Sequence, residues 1–167
     1  VKEFGLLEPG KILDKTRELV LESFSAKGEA IKDGMDISLL SIHKDGVTWA
    51  GANNPLWYIT TAGAQPELKE IMAEKQPIGK TDDPKPFTTH VLNVKKGDLI
   101  YLFTDGYADQ FGGPKGKKFK YKPFAELLLQ NHAFSMQKQQ DMLEEVLTNW
   151  RGDLERVDDI CVIGIRY

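Results

Sequence analysis

Three aspartates lie at the boundaries of apolar runs and are the clearest sign of chemistry in the sequence. Asp105 comes at the end of the apolar run 99–103, whereas Asp158 and Asp159 directly precede the largely apolar run 160–165. Aspartate is unfavourable in strands and favourable in turns, so a turn role is one interpretation of each. If the runs are adjacent antiparallel strands, the end of one lies beside the start of the other, and the carboxylates meet at one sheet edge.

Carboxylates that are held close together repel one another at neutral pH and need a positive charge between them. Oxygen ligands of this type suit the hard cations Mg²⁺ and Mn²⁺. The pattern therefore predicts a divalent metal site that includes Asp105 and Asp158, although neither aspartate by itself establishes a metal.

The composition is that of one soluble globular domain. The chain has 167 residues, 41% hydrophobic and 28% charged, and a net charge of −3, which gives no global case for nucleic-acid or membrane binding. No apolar stretch approaches the roughly 20 residues that span a bilayer, and no signal peptide is recognisable. The single Cys161 excludes an internal disulfide and is expected to be buried. We expect a cytoplasmic protein, and the first residue, Val1, suggests a piece of a longer chain.

The hydrophobic pattern predicts a helix, a series of strands with short turns, two helices and a last strand. The run 99–103 suits a strand buried on both faces, and the pattern alone leaves a buried helix segment open. Asp45-Gly46 between two strand-like runs predicts a hairpin. Strands followed by helices favour an α+β fold with helices packed on antiparallel sheet, and the apolar run 160–165 predicts a strand in the sheet interior. The predicted helices are 9–27, 123–131 and 135–150, and the other predicted strands are 37–43, 47–50, 56–60, 67–72 and 87–94.

A Gly- and Lys-rich segment at residues 112–122 allows two further interpretations. It lacks the spacing of a phosphate-binding P-loop and does not open a helix directly after a strand. A nucleic-acid patch is disfavoured because the chain is acidic overall and the lysines lack interleaved aromatic residues. A solvated loop is therefore the expectation.

Motifs along almost the whole chain resemble the catalytic domain of SpoIIE-type bacterial phosphatases, which belong to the metal-dependent PPM class of serine/threonine phosphatases. In order, the motifs are GANNP, PIG, KGD, TDG, YADQFGG, KGKKFKYKPF, WRG and VDDICVIGI. The resemblance implies an αββα sandwich of antiparallel sheets flanked by helices, formed by residues 1–167 as a single domain. It also implies a binuclear Mn²⁺ or Mg²⁺ centre, with Asp105 and Asp158 as catalytic metal ligands and Asp159 as a lesser partner of the metals.

By the same resemblance, the substrate is a phosphoserine or phosphothreonine on a bacterial signalling protein, such as one similar to an anti-sigma antagonist. A sensor or regulatory domain is expected upstream in the parent chain. Unpaired strand edges invite pairing with another chain, so a homodimer is among the expected assemblies. The alternative is a catalytically silent interaction domain of the same fold.

The sequence departs from the family pattern near its start. The family carries an aspartate that bridges both metals, followed by a Gly-His-Gly turn, and nothing of that kind precedes Pro9. We therefore expect the chain to be the C-terminal portion of the domain, weak or inactive by itself. Asn53 stands where many relatives have histidine, and a turn role is sufficient for it. Asp33 and Asp36 are weaker candidates for the metal edge than for capping and turn roles.

Overall fold

The computed structural model describes residues 3–25 and 34–167. Within them no helix is both long enough and apolar enough to cross a membrane. The chain divides into two units, one made of Val1–Leu56 and Ile71–Val94 and the other of Trp57–Glu70 and Lys95–Tyr167. In chain order the elements are α1 (Pro9–Ser25), β1 (Ile37–His43), β2 (Gly46–Ala52), β3 (Leu56–Thr60), β4 (Glu67–Ile71), β5 (His90–Leu92), β6 (Leu99–Phe103), α2 (Gly106–Asp109), β7 (Phe111–Gly112), β8 (Lys117–Lys118), α3 (Tyr121–Gln130), α4 (Met136–Arg151) and β9 (Val162–Arg166).

The first unit is built on the sheet β1-β2-β5. β1 and β2 form the predicted hairpin in antiparallel register, from Ile37 opposite Ala52 to His43 opposite Gly46. Gly46 has φ 143°, which glycine adopts without steric cost. The core of this unit consists of buried apolar residues from α1, β2 and the segment before β5, namely Leu13, Ala50, Ala52, Ile78 and Phe87.

The second unit is built on the sheet β4-β3-β6-β9 and the small hairpin β7-β8. All five residues of β6 are buried, as expected for a strand covered on both faces. Aromatic rings pack beneath the end of β6: Phe103 lies 4.5 Å from Trp57 and 5.3 Å from Phe124 between ring centroids. Tyr107 of α2 stacks on Phe124 at 4.4 Å. The end of β6 and the start of α2 therefore rest on one aromatic cluster.

The predicted helices and strands are all present, but β5 is shorter than the predicted strand 87–94, and the structure adds α2 and the hairpin β7-β8, which lies largely in the segment 112–122 that was expected to be a loop. β1 and β3 have the predicted bounds, and α1 ends at Ser25, so the predicted residues 26–27 lie outside the described residues. The single meander is divided between two sheets. The last strand was predicted in the sheet interior, which is wrong: β9 is the outer strand of its sheet, and Ile163 is 50% exposed. Cys161 is exposed rather than buried.

A buried carboxylate closes the start of β6. Asp98 is 1% exposed, and its Oδ1 accepts hydrogen bonds from the Thr61 N–H (2.8 Å) and hydroxyl (3.1 Å). Its Oδ2 accepts from the Lys95 N–H at 2.8 Å. Burial by itself raises the pKa of Asp98, but these hydrogen bonds and the Lys95 charge outweigh it, so the pKa lies below its ordinary value.

We predict that Asp98→Asn lowers the free energy of unfolding by about 1–3 kcal/mol at pH 7, because the amide NH₂ cannot accept the Lys95 N–H. The stabilisation from an Asp with a depressed pKa is present above its unfolded pKa and is lost as pH falls through the folded value. The difference between variant and wild type should therefore shrink below about pH 4. Urea unfolding at pH 7 and pH 3 measures it. Asp83→Asn is the control, since the Asp83 side chain is 88% exposed, and an equal loss in both variants would contradict the prediction.

Candidate functional site

The two aspartate-bearing segments meet as the antiparallel arrangement predicts. β6 pairs with β9 in antiparallel register, from Leu99 opposite Arg166 to Phe103 opposite Val162. The chain leaves β6 two residues before Asp105 and enters β9 a few residues after Asp158 and Asp159. The end of one strand therefore lies beside the segment that leads into the other.

Backbone contacts hold these two segments together beyond the last strand pair. The Thr104 N–H donates to the Cys161 carbonyl at 3.0 Å, and the Thr104 hydroxyl donates to the Asp159 carbonyl at 2.8 Å. Gly106 lies so close that an added Cβ would stand 2.5 Å from the Asp159 carbonyl oxygen. Residues on both sides of Asp105 therefore touch the Asp159 backbone.

The segment 104–106 also brings Asp105 among other acidic side chains. Asp105 precedes α2 in helical conformation, φ −68° and ψ −18°, and its side chain makes no capping hydrogen bond to that helix. Tyr121 at the start of α3 is 41% exposed. Burial, and then the nearby carboxylates of Asp105, Asp109 and Glu70, raise the pKa of the Tyr121 phenol. We call these three carboxylates the acidic edge.

Neighbouring side chains bind Asp109 and Glu70. Asp109 Oδ2 lies 2.7 Å from the Lys118 ammonium, and Glu70 Oε1 accepts a hydrogen bond from the Trp57 indole at 2.8 Å. Lys118 comes from the Gly- and Lys-rich segment, which forms the hairpin β7-β8, so one of its lysines serves as an ion-pair partner.

The two aspartates that precede β9 are on the surface. Asp158 and Asp159 are both exposed, and Asp158 Oδ1 accepts a hydrogen bond from the Asp159 N–H at 2.7 Å. Among residues 3–25 and 34–167, no group of three or more His, Cys, Asp or Glu side chains is arranged to hold a metal ion. The backbone brings the predicted segments together, and the roles of Asp105, Asp158 and Asp159 stay predictions.

The weaker candidates belong to the first unit. Asn53 has φ 61°, a left-handed conformation that asparagine tolerates, and its amide donates to Asp36 Oδ1 at 2.7 Å. Asn53 therefore has the expected turn role and also binds the Asp36 carboxylate. Asp33 lies outside the described residues.

Sequence reasoning missed Glu70, Asp109, Tyr121 and the contacts of Thr104. Asp109 was detectable, because it follows Asp105 by four residues and a helix places such residues on one face. Its N–H does donate to the Asp105 carbonyl at 2.9 Å. Glu70 and Tyr121 carry no local signal, since only the tertiary fold brings them to the edge.

The antiparallel sheets and helices define the fold of PP2C-type phosphatases. The structure matches the SiaA-PP2C domain of Pseudomonas aeruginosa with a TM-score of 0.82 and 25% sequence identity, over 96% of this chain and 61% of that one. It matches PppA, a key regulatory component of the T6SS in Pseudomonas aeruginosa, with a TM-score of 0.63, 16% identity and coverage of 94% and 67%. It matches the phosphatase domain of the cell fate determinant SpoIIE from Bacillus subtilis with a TM-score of 0.52 and 16% identity, over 93% of this chain and 71% of that one. The two matches at 16% identity show the fold alone.

Residues 6–167 match the family described as Stage II sporulation protein E (SpoIIE), and the chain belongs to this family. The resemblance read from the motifs is confirmed, and so is the fold class. The chain is therefore a phosphatase-type domain, and it spans 61% of the length of the SiaA-PP2C chain that it matches. No curated protein gives a significant match.

We predict that Gly106→Ala separates the two aspartate-bearing segments. The added methyl would stand 2.5 Å from the Asp159 carbonyl oxygen, and a backbone atom cannot rotate away as a side chain can. The overpacking cost of about 1–3 kcal/mol should exceed the gain of up to about 1 kcal/mol for Ala over Gly in a helix. The free energy of unfolding should therefore fall in urea titration.

Gly63→Ala is the matched control, because its nearest contact to an added Cβ is 3.4 Å. A Gly106→Ala variant as stable as the wild-type protein would show that the two segments separate without cost and would contradict this description of the edge.

Proposed function

We propose that this domain belongs to a metal-dependent protein serine/threonine phosphatase, with the activity residing in the parent protein. The observation that supports it is the meeting of Asp105 with the segment of Asp158 and Asp159 in a SpoIIE-family domain. A relative of known structure, the Bacillus subtilis SpoIIE phosphatase domain, has been studied after presoaking in Mn.

The donor chemistry at the edge fits a hard divalent cation. Asp105, Asp158 and Asp159 offer carboxylate oxygens, the ligands that Mg²⁺ and Mn²⁺ prefer. The described residues do not complete a metal shell, and Mg²⁺ is commonly held by one or two carboxylates with waters and substrate phosphate for the rest. Asp105 and Asp158 would be the main ligands, and Asp159 a lesser one.

Asp105 and Asp158, with Asp159 as a lesser ligand, would hold divalent cations, which would supply an activated water and neutralise phosphate charge, so that no protein nucleophile would be needed. The protein's own contribution is position and charge. The Gly106 backbone approaches the Asp159 carbonyl closely, which keeps the two ligand-bearing segments adjacent. The acidic edge repels a phosphate dianion, so binding of a phosphorylated side chain would depend on prior binding of cations there.

The proposed substrate is a phosphoserine or phosphothreonine of a bacterial signalling protein, similar to an anti-sigma antagonist. Relatives described as a cell fate determinant and as a regulatory component of a secretion system support a role in signalling. An upstream sensor or regulatory domain in the parent chain is part of this proposal. We place the domain in the cytoplasm, without nucleic-acid or membrane contact.

A second candidate function is a catalytically silent interaction domain of the same fold. The observation in its favour is that the described residues contain no group of three or more potential metal ligands. Activity of the parent protein distinguishes the two candidates.

We predict that the parent protein hydrolyses an aryl phosphate and a phosphoprotein with Mn²⁺ present, and that this chain by itself is a poor catalyst. In the parent, Asp105→Asn and Asp158→Asn should each lower the rate by at least about 10–100-fold, because each removes a charged ligand with little change in volume. Circular dichroism should show that both variants keep the fold.

Asp153→Asn is the matched control, since Asp153 is exposed in the same loop as Asp158 and is assigned no metal role. A parent with no Mn²⁺-dependent activity would favour the silent domain. An Asp105→Asn parent with full activity would overturn the ligand assignment.

A further inference from the structure

At the end of β6, the Thr104 side chain makes hydrogen bonds that a regular strand residue does not make. The register that pairs Phe103 with Val162 places Thr104 opposite Cys161 at the next position. In a continuing antiparallel ladder, two residues opposed in this way would exchange both N–H···O=C bonds. The Thr104 N–H does donate to the Cys161 carbonyl at 3.0 Å.

The second hydrogen bond of this residue pair, from the Cys161 N–H, is made to a side chain rather than to the backbone. The Cys161 N–H donates to the Thr104 hydroxyl oxygen at 3.0 Å, and the same hydroxyl donates its hydrogen to the Asp159 carbonyl at 2.8 Å. The hydroxyl thus takes the place of the Thr104 carbonyl as acceptor. The main chain can then leave the sheet at Asp105 and enter α2 without leaving the Cys161 amide unpaired.

One side chain therefore binds two peptide groups of the segment 159–161 and stands next to Asp105 in the chain. Valine, which has the same shape, would leave the Cys161 N–H and the Asp159 carbonyl without this partner. Serine would keep both hydrogen bonds.

We propose that Thr104 is a positioning residue, whose hydroxyl fixes the segment of Asp158 and Asp159 against Asp105 and so sets the spacing of the proposed metal ligands. This proposal rests on the proposed function. Thr104 acts through the backbone that carries these aspartates, and residues that orient metal ligands in this way typically contribute 10–100-fold to metal affinity.

The test is Mn²⁺ binding, measured on the parent protein by the electron paramagnetic resonance signal of free Mn²⁺ during titration. Thr104→Val should raise the Kd for Mn²⁺ by roughly 10–100-fold, and Thr104→Ser should restore it close to the wild-type value. Amide hydrogen exchange at Cys161, measured without metal, should become faster in the valine variant and stay slow in the serine variant. Thr104→Ala provides the same test if the valine variant does not fold.

Thr60→Val is the matched control. The Thr60 hydroxyl also bonds a backbone carbonyl, that of Glu67 at 3.4 Å. Thr60 precedes Thr61, which binds Asp98 at the opposite end of β6 from Thr104. The Mn²⁺ affinity of the Thr60→Val variant should therefore stay unchanged.

The outcomes separate the two proposals. If Asp105→Asn weakens Mn²⁺ binding but folded Thr104→Val binds as tightly as wild type, the positioning role is overturned and the proposed function stands. If Asp105→Asn binds Mn²⁺ as the wild type does, or if the wild type binds none, the metal site in the proposed function is overturned. A loss of affinity that serine does not restore would show that the hydroxyl is not the cause.

Discussion

The antiparallel pairing of β6 with β9 is the interaction on which the candidate site depends. β6 is buried along its whole length, and its register places Phe103 opposite Val162. The side-chain period of a strand is two, so a slip of one residue would exchange the faces on which the β6 side chains lie and would remove Phe103 from its contacts with Trp57 and Phe124. The same slip would move Asp159 away from Thr104. The position of the exposed aspartates therefore follows from the burial of a strand that carries none of them.

Below this pairing, an aromatic cluster makes the turn at the edge a fixed feature. Phe103 packs against Trp57 and Phe124, and Tyr107 stacks on Phe124. Large buried rings of this kind dominate core energetics and prefer defined offsets. The turn 104–106 lies between Phe103 and Tyr107, so both of its ends are attached to the core.

Electrostatics then distinguishes the acidic side chains from one another. Asp109 is paired with Lys118, and Glu70 accepts the Trp57 indole N–H, so each has a partner within the protein. Asp105, like both of these carboxylates, raises the pKa of the Tyr121 phenol, and the backbone of Asp159 is bound by the neighbouring Thr104.

The sequence alone predicted the strands β1 and β3, the hairpin at Asp45-Gly46 and the aspartates at the boundaries of apolar runs. These features were predictable because side-chain periodicity and turn chemistry are local properties. The motifs also identified the family. The tertiary structure alone decided that β9 is an outer strand with Cys161 exposed, because an apolar run records burial tendency and not its neighbours. It also brought Glu70 and Tyr121 to the edge of Asp105 and closed the Thr104 hydrogen bonds across 55 residues. Such contacts depend on sheet order and register, which no local pattern encodes.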